Sequence, residues 1–235
     1  MMRLDRLLAE SSALTRSQAA RAIRDGAVTV NGIPVRKPEQ KVDENTDRVY
    51  LSGEAVCYRR FHYYLMDKPV GVITASSDRS AQTVLDLLPP ELRKQGVFPV
   101  GRLDKDTSGL LLITDDGEFA HRVISPGHRV DKIYLAEVEG VLRPETAERF
   151  RQGIVLKDGT VCLPAKLEIL GEQKCLVTVQ EGKYHQVRRM LAAAGNPVLS
   201  LRRLQIGGLK LAADSVPGTW RELNEEEKNS VYCAG

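Results

Sequence analysis

Hydrophobic spacing in the first fifty residues predicts two helices followed by a small hairpin. Leucines at positions 4, 7 and 8 have helical spacing. Thr15–Gln18 reads TRSQ, a capping-box pattern that predicts the start of a second helix, which runs to Arg24. The following stretch, VTVNGIPV, predicts two short strands joined by a turn at Asn31-Gly32. This segment is therefore expected to fold as a helix pair with a hairpin.

From residue 62 onwards the pattern changes to short apolar strands interrupted by helices. The predicted helices are TVLDLL, EFAHRVI, PETAERF and YHQVRRMLAAAG, and Gly195 ends the last of them. This irregular order indicates an α+β domain with a mixed, mostly antiparallel sheet rather than repeated βαβ units. The predicted strands are HYYLM, GVITAS, GLLLIT, KIYLAEV, AKLEIL, CLVTVQ and LQIGGLKL.

The change of pattern predicts two unequal domains. We expect a small N-terminal domain at residues 1–54, a linker at 55–61 within and just after the stretch EAVCYRR, and a larger domain at 62–235. No internal repeat or low-complexity tract suggests another division of the chain.

Composition narrows the functional classes. No apolar run approaches the ~20 residues that a membrane span requires, and the charged start MMRLDRLLAE does not read as a signal peptide. We therefore expect a cytoplasmic protein with no membrane partner. The cysteines, Cys57, Cys162, Cys175 and Cys233, form no C-x-x-C pair, so we expect reduced thiols and no metal site.

The distribution of charge is more informative than its sum. A net charge of +3 is too small to establish nucleic-acid binding. Cations are nevertheless frequent in the first forty residues, and they form either an ordinary solvated face or a phosphate-binding surface. The candidates for RNA contacts in this segment are Arg3, Arg16, Arg21, Arg24 and Lys37.

The stretch GRLDKDTSG, residues 101–109, places two carboxylates in a glycine-flanked loop before a buried strand. Such a loop can hold one carboxylate firmly. Spacing alone does not choose between Asp104 and Asp106, and both could merely build a turn. Arg102 and Lys105 flank the loop and are candidates for phosphate contacts.

The helix near residue 190 offers a second group of polar candidates. One apolar stripe leaves His185 and Arg189 on nearly the opposite side, while Arg188 lies at the boundary. From that position Arg188 could pair with a carboxylate in a cleft or simply touch phosphate on the surface. His185 could contact RNA or be structural.

The motifs of the two predicted domains each resemble a known family. RLDRLLA, LTRSQA and IRDGAVTVNG resemble the S4 RNA-binding module over residues 2–45. KPVGVITAS, GRLDKDTSG, DKIYL and EGKYHQVRRM resemble, in order, the motifs of the RsuA-type family of pseudouridine synthases, which isomerise uridine in ribosomal RNA. This resemblance implies a catalytic domain with a central cleft. It also implies that Asp104 is the essential aspartate, that Tyr134 contacts the target base and that Arg188 pairs with the aspartate.

The chemistry of the implied reaction fits these residue types. Pseudouridine formation breaks an N-glycosidic bond and joins uracil C5 to the ribose, so atoms and oxidation state balance and we expect no cofactor. A carboxylate can attack the nucleotide or stabilise charge as the base leaves. Tyr134 could stack on a flipped uridine, although a tyrosine in a strand is by itself an ordinary core residue. Lys68 is either a phosphate contact or a loop charge.

Within this family, YHQVRRM and the MRLD start resemble the members that modify uridine 516 of 16S ribosomal RNA. The alternatives are a paralogue acting on 23S RNA and a non-catalytic RNA-binding assembly factor. The expected partner is small-subunit ribosomal RNA or an assembly intermediate, and we expect a monomer.

Overall fold

The computed structural model describes nearly the whole chain: residues 1–12, 14–44, 46–56, 58 and 60–233. It divides into two units, Met1–Arg60 and Phe61–Gly235. Cys57 and Arg59, which fall in the expected linker, lie outside the described residues.

In the first unit, local signals set the elements. Thr15 and Gln18 cap each other reciprocally at the start of the second helix, as the capping-box pattern predicts. Asn31 and Gly32 have φ of 52° and 82° and form the predicted hairpin turn. The elements are β1 (Met2–Arg3), α1 (Leu4–Ser11), α2 (Arg16–Arg24), β2 (Val28–Val30), β3 (Ile33–Pro34), β4 (Lys41–Val42), β5 (Val49–Leu51) and β6 (Glu54–Val56).

Strand β6 corrects the start of the expected linker. Ala55 and Val56 pair with Tyr50 and Val49 of β5, so these residues extend the sheet with order β3-β2-β5-β6. Glu54, Ala55 and Val56 alternate weakly in polarity and were not distinguishable from a connecting segment by pattern alone.

The second unit contains strands and helices in irregular order. Its elements are β7 (Tyr63–Lys68), α3 (Pro90–Arg93), β8 (Phe98–Val100), β9 (Ser108–Thr114), α4 (Gly117–Ile124), β10 (Lys132–Val138), α5 (Pro144–Gln152), β11 (Lys166–Gly171), β12 (Lys174–Val179), α6 (Gln186–Ala193), β13 (Val198–Ile206), β14 (Leu209–Lys210), β15 (Trp220–Glu222) and α7 (Glu225–Ser230).

The central sheet confirms the predicted mixed, mostly antiparallel α+β fold. Its order is β11-β12-β10-β13-β9-β7-β15, with β14 on β13 and β8 on β9. The pairing of β13 with β9 is parallel. Leu110–Ile113 of strand β9 are all apolar, and the two faces of the strand pack in different cores: Leu111 and Ile113 in one, Leu110 and Leu112 in the other. The sheet is thus buried on both sides where it carries the carboxylate loop.

Four predicted elements differ from the structure. LQIGGLKL is not one strand, because it contains the end of β13 and, after Gly207-Gly208, the short strand β14. GVITAS is not a strand, and only an isolated bridge joins Ile73 to Thr83. TVLDLL forms a short 3-10 helix at Val84–Leu87. The last predicted helix begins at Gln186 rather than Tyr184, because His185 adopts a left-handed conformation with φ of 47°.

Gly109 allows the close parallel contact between β9 and β13. Its φ is +104°, and an added Cβ would lie 2.2 Å from the carbonyl oxygen of Arg203. A side chain at this position would therefore collide with the backbone of β13. In the part of the chain that the structure describes, no helix combines the length and the apolar character needed to cross a membrane.

Candidate active site

Segment 68–74 holds the carboxylate loop through the backbone. Thr74 Oγ1 donates to the carbonyl oxygen of Leu103 at 2.7 Å and accepts from the Leu103 N–H at 3.1 Å. The Gly71 N–H donates to the Lys105 carbonyl at 2.8 Å. Since Leu103 and Lys105 flank Asp104, these bonds fix the backbone on both sides of the candidate catalytic carboxylate.

Lys68 is part of this support and not an exposed RNA contact, which corrects the prediction. Its side chain is fully buried, and its Nζ donates to the carbonyls of Thr107 at 2.8 Å and Pro69 at 3.0 Å. Burial lowers the pKa of Lys68 to about 8, while the carboxylates of Asp104 and Asp106 act in the opposite direction. Lys68 is therefore a buried cation beneath the loop.

Asp104 borders a cavity of about 860 Å³ in the second unit. Its side chain is 28% exposed, and its Oδ1 lies 3.4 Å from Nε2 of His185. The ring of His185 stacks on that of Tyr184 at a centroid distance of 3.9 Å. Tyr184 is 74% exposed, so the two rings form an aromatic rim beside the carboxylate. Arg102 and Lys105 also line the cavity and are exposed.

Arg188 does not pair with Asp104, contrary to the expectation from the family resemblance. Its Nη2 lies 3.2 Å from Oδ2 of Asp106 and donates to the Asp106 carbonyl at 2.9 Å. The side chain of Asp106 is 61% exposed and that of Arg188 is 16% exposed. The helix position and the loop were predicted correctly, but the loop turns the second of its two carboxylates towards Arg188.

Tyr134 lies in the wall of the same cavity, on β10. It is the register partner of Arg203 on β13, and Nη1 of Arg203 lies 3.4 Å from the Tyr134 hydroxyl. Arg203 also donates through Nε to the Leu110 carbonyl at 2.8 Å. Tyr134 is therefore both a cavity residue and a member of the apolar core.

Lys132 and Arg203 are cavity residues that sequence reasoning missed. Lys132 is 8% exposed and Arg203 is 3% exposed. Burial, followed by the nearby Arg203, lowers the pKa of Lys132 to about 8. The alternation of side chains along a strand could have identified Lys132, because Lys132 lies two residues before Tyr134 and therefore on the same face of β10. For Arg203 the pairing of β10 with β13 was needed, which no local pattern indicates.

The remaining predicted RNA contacts lie elsewhere. Arg189 does not line the cavity, and its Nη2 pairs with Oδ2 of Asp158 at 2.5 Å. The five N-terminal candidates are exposed on the first unit, and three of them lie near carboxylates. Arg3 and Arg16 approach Asp5 at 2.8 and 3.7 Å, and Arg21 approaches Asp25 at 3.7 Å. Arg24 and Lys37 are the other two candidates.

Cysteine and metal chemistry receive no support from the described residues. Cys162, Cys175 and Cys233 are free thiols, and Cys57 lies outside the described part of the chain. Burial raises the pKa of Cys175 to about 11, which suits an unreactive core thiol. Within the described ranges, no group of three or more His, Cys, Asp or Glu side chains is arranged to hold a metal ion.

Two family models match the chain. The model for RNA pseudouridylate synthase matches residues 62–193, and the S4 domain model matches residues 2–47. The first match includes Asp104, Tyr134 and Arg188, and it ends before Arg203.

Individual relatives match nearly the full length. An uncharacterized RNA pseudouridine synthase of Bacillus subtilis is 43% identical over 96% of each chain. Proteins named ribosomal small subunit pseudouridine synthase A are 41% identical in Vibrio cholerae, covering 98% of this chain and 100% of that one, and 39% identical in Escherichia coli, with the same coverage. A crystal structure of a pseudouridylate synthase superimposes with a TM-score of 0.70 at 36% identity, covering 98% of this chain and 100% of that chain.

Proposed function

Because the chain belongs to the RNA pseudouridylate synthase family, we propose that it converts uridine to pseudouridine at one site of small-subunit ribosomal RNA. Uridine 516 of the 16S RNA is the proposed target. Support for the small subunit comes from relatives at 39–41% identity that are named ribosomal small subunit pseudouridine synthase A. The proposed setting is the cytoplasm.

The observation that carries this proposal is the placement of Asp104. Its carboxylate borders a cavity of about 860 Å³ that Tyr134 also lines. A space of this size accepts a nucleotide that has left its base stack. Loop bonds to Thr74 and Gly71 hold the backbone around Asp104, so the carboxylate is positioned before the substrate arrives.

Asp104 is the proposed catalytic residue. It attacks the nucleotide or stabilises charge at the sugar while the bond between C1′ and N1 breaks. The uracil then turns, C5 bonds to C1′, the C5 proton leaves and N1 gains a proton. Atoms and electrons balance without an oxidant or a reductant. Tyr134 is proposed to contact the uracil face and to assist removal of the C5 proton.

Arg188 is proposed as a positioning residue. It holds the loop through the carbonyl and the carboxylate of Asp106, two residues beyond Asp104. His185, Arg102 and Lys105 lie around the opening and are proposed to contact the RNA backbone or a neighbouring base. Arg189 and the five N-terminal cations are proposed as further phosphate contacts.

Mapping pseudouridine in ribosomal RNA from cells that lack the gene tests the proposal. We expect one position in 16S RNA to remain uridine, and we expect the purified protein to restore it on small-subunit RNA or a small-subunit assembly intermediate. Loss of a position in 23S RNA instead would reassign the substrate to the large subunit. An unchanged map together with altered ribosome assembly would favour the non-catalytic binding factor.

A further inference from the structure

Arg203 carries a buried donor group that no described residue satisfies. The side chain is 3% exposed, and its Nη2 has no hydrogen-bond acceptor among the described residues. Its other two nitrogens are used, Nε by the Leu110 carbonyl and Nη1 by the Tyr134 hydroxyl. A buried donor of this kind costs free energy unless a ligand supplies the acceptor.

Lys132 adds a second cation to the same wall. It lines the cavity with Arg203 and is 8% exposed. Its Nζ donates to the Val130 carbonyl at 3.0 Å, which leaves two of its three N–H groups for other acceptors. The charged groups that act on it are Arg203 and Asp131, and Asp131 is itself bonded to Gln180.

The two cations are not paired with carboxylates in the described part of the chain, and Asp131 acts on Lys132 only from beyond ion-pair distance. Neither Arg203 nor Lys132 forms an ion pair there with Asp or Glu at 4.0 Å or less. Two buried cations repel each other, and burial without pairing is costly. The arrangement therefore favours a ligand with oxygen acceptors and negative charge at this wall.

The positions of Arg203 and Lys132 indicate which part of a bound nucleotide they contact. Arg203 contacts Tyr134 through the hydroxyl and lies with its guanidinium carbon 5.9 Å from the ring centroid. A uracil packed against the Tyr134 ring would place its carbonyl oxygens at the part of the cavity wall that Arg203 and Lys132 form. We propose that Arg203 and Lys132 bind the carbonyl oxygens of the target uracil and stabilise the negative charge that the base gains when it leaves the ribose.

This inference rests on the proposed function, and its chemistry balances with that reaction. When the bond between C1′ and N1 breaks, its electron pair stays on the uracil and spreads to the two carbonyl oxygens. Arg203 and Lys132 donate hydrogen bonds to that charge and transfer no proton. The charge disappears from the base when C5 forms its bond to C1′. The two cations are therefore catalytic residues that act more strongly on the transition state than on the bound substrate.

The first experiment compares Arg203→Met and Lys132→Met with wild type under single-turnover conditions on small-subunit RNA. We expect each variant to react roughly 10- to 150-fold more slowly, the value of a charge-assisted hydrogen bond, with RNA affinity changed less than about threefold, as expected of a contact realised in the transition state. Lys174→Met is the matched control, because Lys174 is a half-exposed lysine on β12 of the same sheet. Loss of affinity with an unchanged rate would overturn the proposal.

Lys132→Met also guards against a folding artefact. Arg203→Met removes the bond to the Leu110 carbonyl as well as the cation, so its slow rate is interpreted only if its urea unfolding midpoint is close to that of wild type. The Lys132 side chain donates to the backbone at Val130, a near neighbour in the chain. A wild-type rate for folded Lys132→Met would overturn the role of Lys132.

The second experiment identifies the acceptor. RNA with sulfur in place of uracil O2 or O4 at the target has a weaker acceptor, whereas RNA with a methylphosphonate beside the target lacks one phosphate charge. We expect one sulfur substitution to slow wild type and to have little further effect on Lys132→Met. If instead the methylphosphonate effect disappears in Lys132→Met, the cations bind phosphate and the proposal is wrong. A wild-type protein that forms no pseudouridine in any ribosomal RNA would refute the proposed function itself, which keeps the two failures distinct.

Discussion

Cations lie in contrasting environments in the two units of the molecule. In the first unit, Arg16 and Arg21 are exposed and lie 3.7 Å from Asp5 and Asp25. In the second unit, Arg203 and Lys132 are buried in a cavity wall, and no carboxylate in the described ranges pairs with them. Salt screens the interactions of exposed charges, whereas buried charges interact more strongly with neighbouring groups because the effective dielectric constant is lower. Substitutions of the exposed cations in the first unit should therefore change RNA affinity, whereas substitutions in the cavity wall should change the reaction rate.

The largest effect is expected at the carboxylate loop. Asp104→Asn should lower the rate of isomerisation by roughly 1,000-fold or more while leaving RNA binding intact, because the amide has the same shape but cannot act as a carboxylate. Asp106→Asn is the matched control and should cost less than about tenfold, because the side chain of Asp106 is 61% exposed and the bond from Arg188 to the Asp106 carbonyl does not depend on the carboxylate. Tritium release from C5 of the uridine measures the rate. Equal, small effects would show that Asp104 is not the catalytic carboxylate.

Next in size is the effect of filling the space between β9 and β13. Gly109→Ala places a Cβ 2.2 Å from the Arg203 carbonyl oxygen at a φ of +104°, and we expect it to lower the free energy of unfolding by roughly 2–6 kcal/mol. Gly159→Ala is the control, because Gly159 has a φ of +82° and open space around its Cβ position. It should cost about 1–2 kcal/mol. Urea unfolding followed by circular dichroism compares them, and equal midpoints would contradict the close contact.

A pH dependence of intermediate size should follow from the buried lysines. The pKa values of Lys68 and Lys132 are each lowered to about 8, so the single-turnover rate should fall as pH rises through about 8 and these cations become neutral. The Lys132→Met variant should already react slowly below that pH, and the part of the fall in rate that comes from deprotonation of Lys132 should be absent. A wild-type rate that stays level between about pH 7 and 10 would contradict a need for either cation.

This fall in rate is not expected to be unfolding. Both lysines have lower pKa values in the folded protein than the 10.5 of a free side chain. Below about pH 8 they are charged in both states, and the cost of burying the charge is fully present. Between about 8 and 10.5 the folded state loses these protons first, so their contribution to stability becomes more favourable as pH rises. Circular dichroism over the same pH range separates the two effects.

The smallest effect is expected on the first unit. Arg21→Gln with Arg24→Gln should weaken RNA binding several-fold and reduce the dependence of log affinity on log salt by about 0.7–0.9 for each phosphate that these arginines no longer neutralise. The rate at saturating RNA should not change. Arg151→Gln, an exposed arginine on α5 of the second unit, is the control for loss of charge. An unchanged salt slope would show that this surface does not face phosphate.

Local signals predicted the first unit well. The capping box at Thr15–Gln18 and the Asn31-Gly32 turn each depend on a few adjacent residues, and the structure confirms both. The predicted α+β class also holds because alternation and apolar runs report burial directly. The start of the linker was wrong because β6 is three residues long and pairs only with β5.

The candidate site was predicted only in outline. Its cavity brings together Asp104, Tyr134 and Arg188, as the motifs imply. Two details depend on tertiary geometry that the motifs do not encode. The loop presents Asp106 rather than Asp104 to Arg188, and the lysine that begins KPVGVITAS turns into the core instead of towards RNA. Arg203 reaches the cavity because β13 pairs with β10, and this pairing is not evident from the sequence around Arg203.

The support beneath the carboxylate loop also restricts how the length of this chain can change during evolution. Lys68, Gly71 and Thr74 bond in turn to Thr107, Lys105 and Leu103, so two segments run in opposite directions with matched contacts. One residue inserted between positions 68 and 74 would shift the register of the two segments and break at least one of these hydrogen bonds, although the surrounding sheet would still fold. Related chains that keep the activity should therefore differ in length at exposed turns such as Asp158-Gly159, and keep the interval between Lys68 and Thr74 constant.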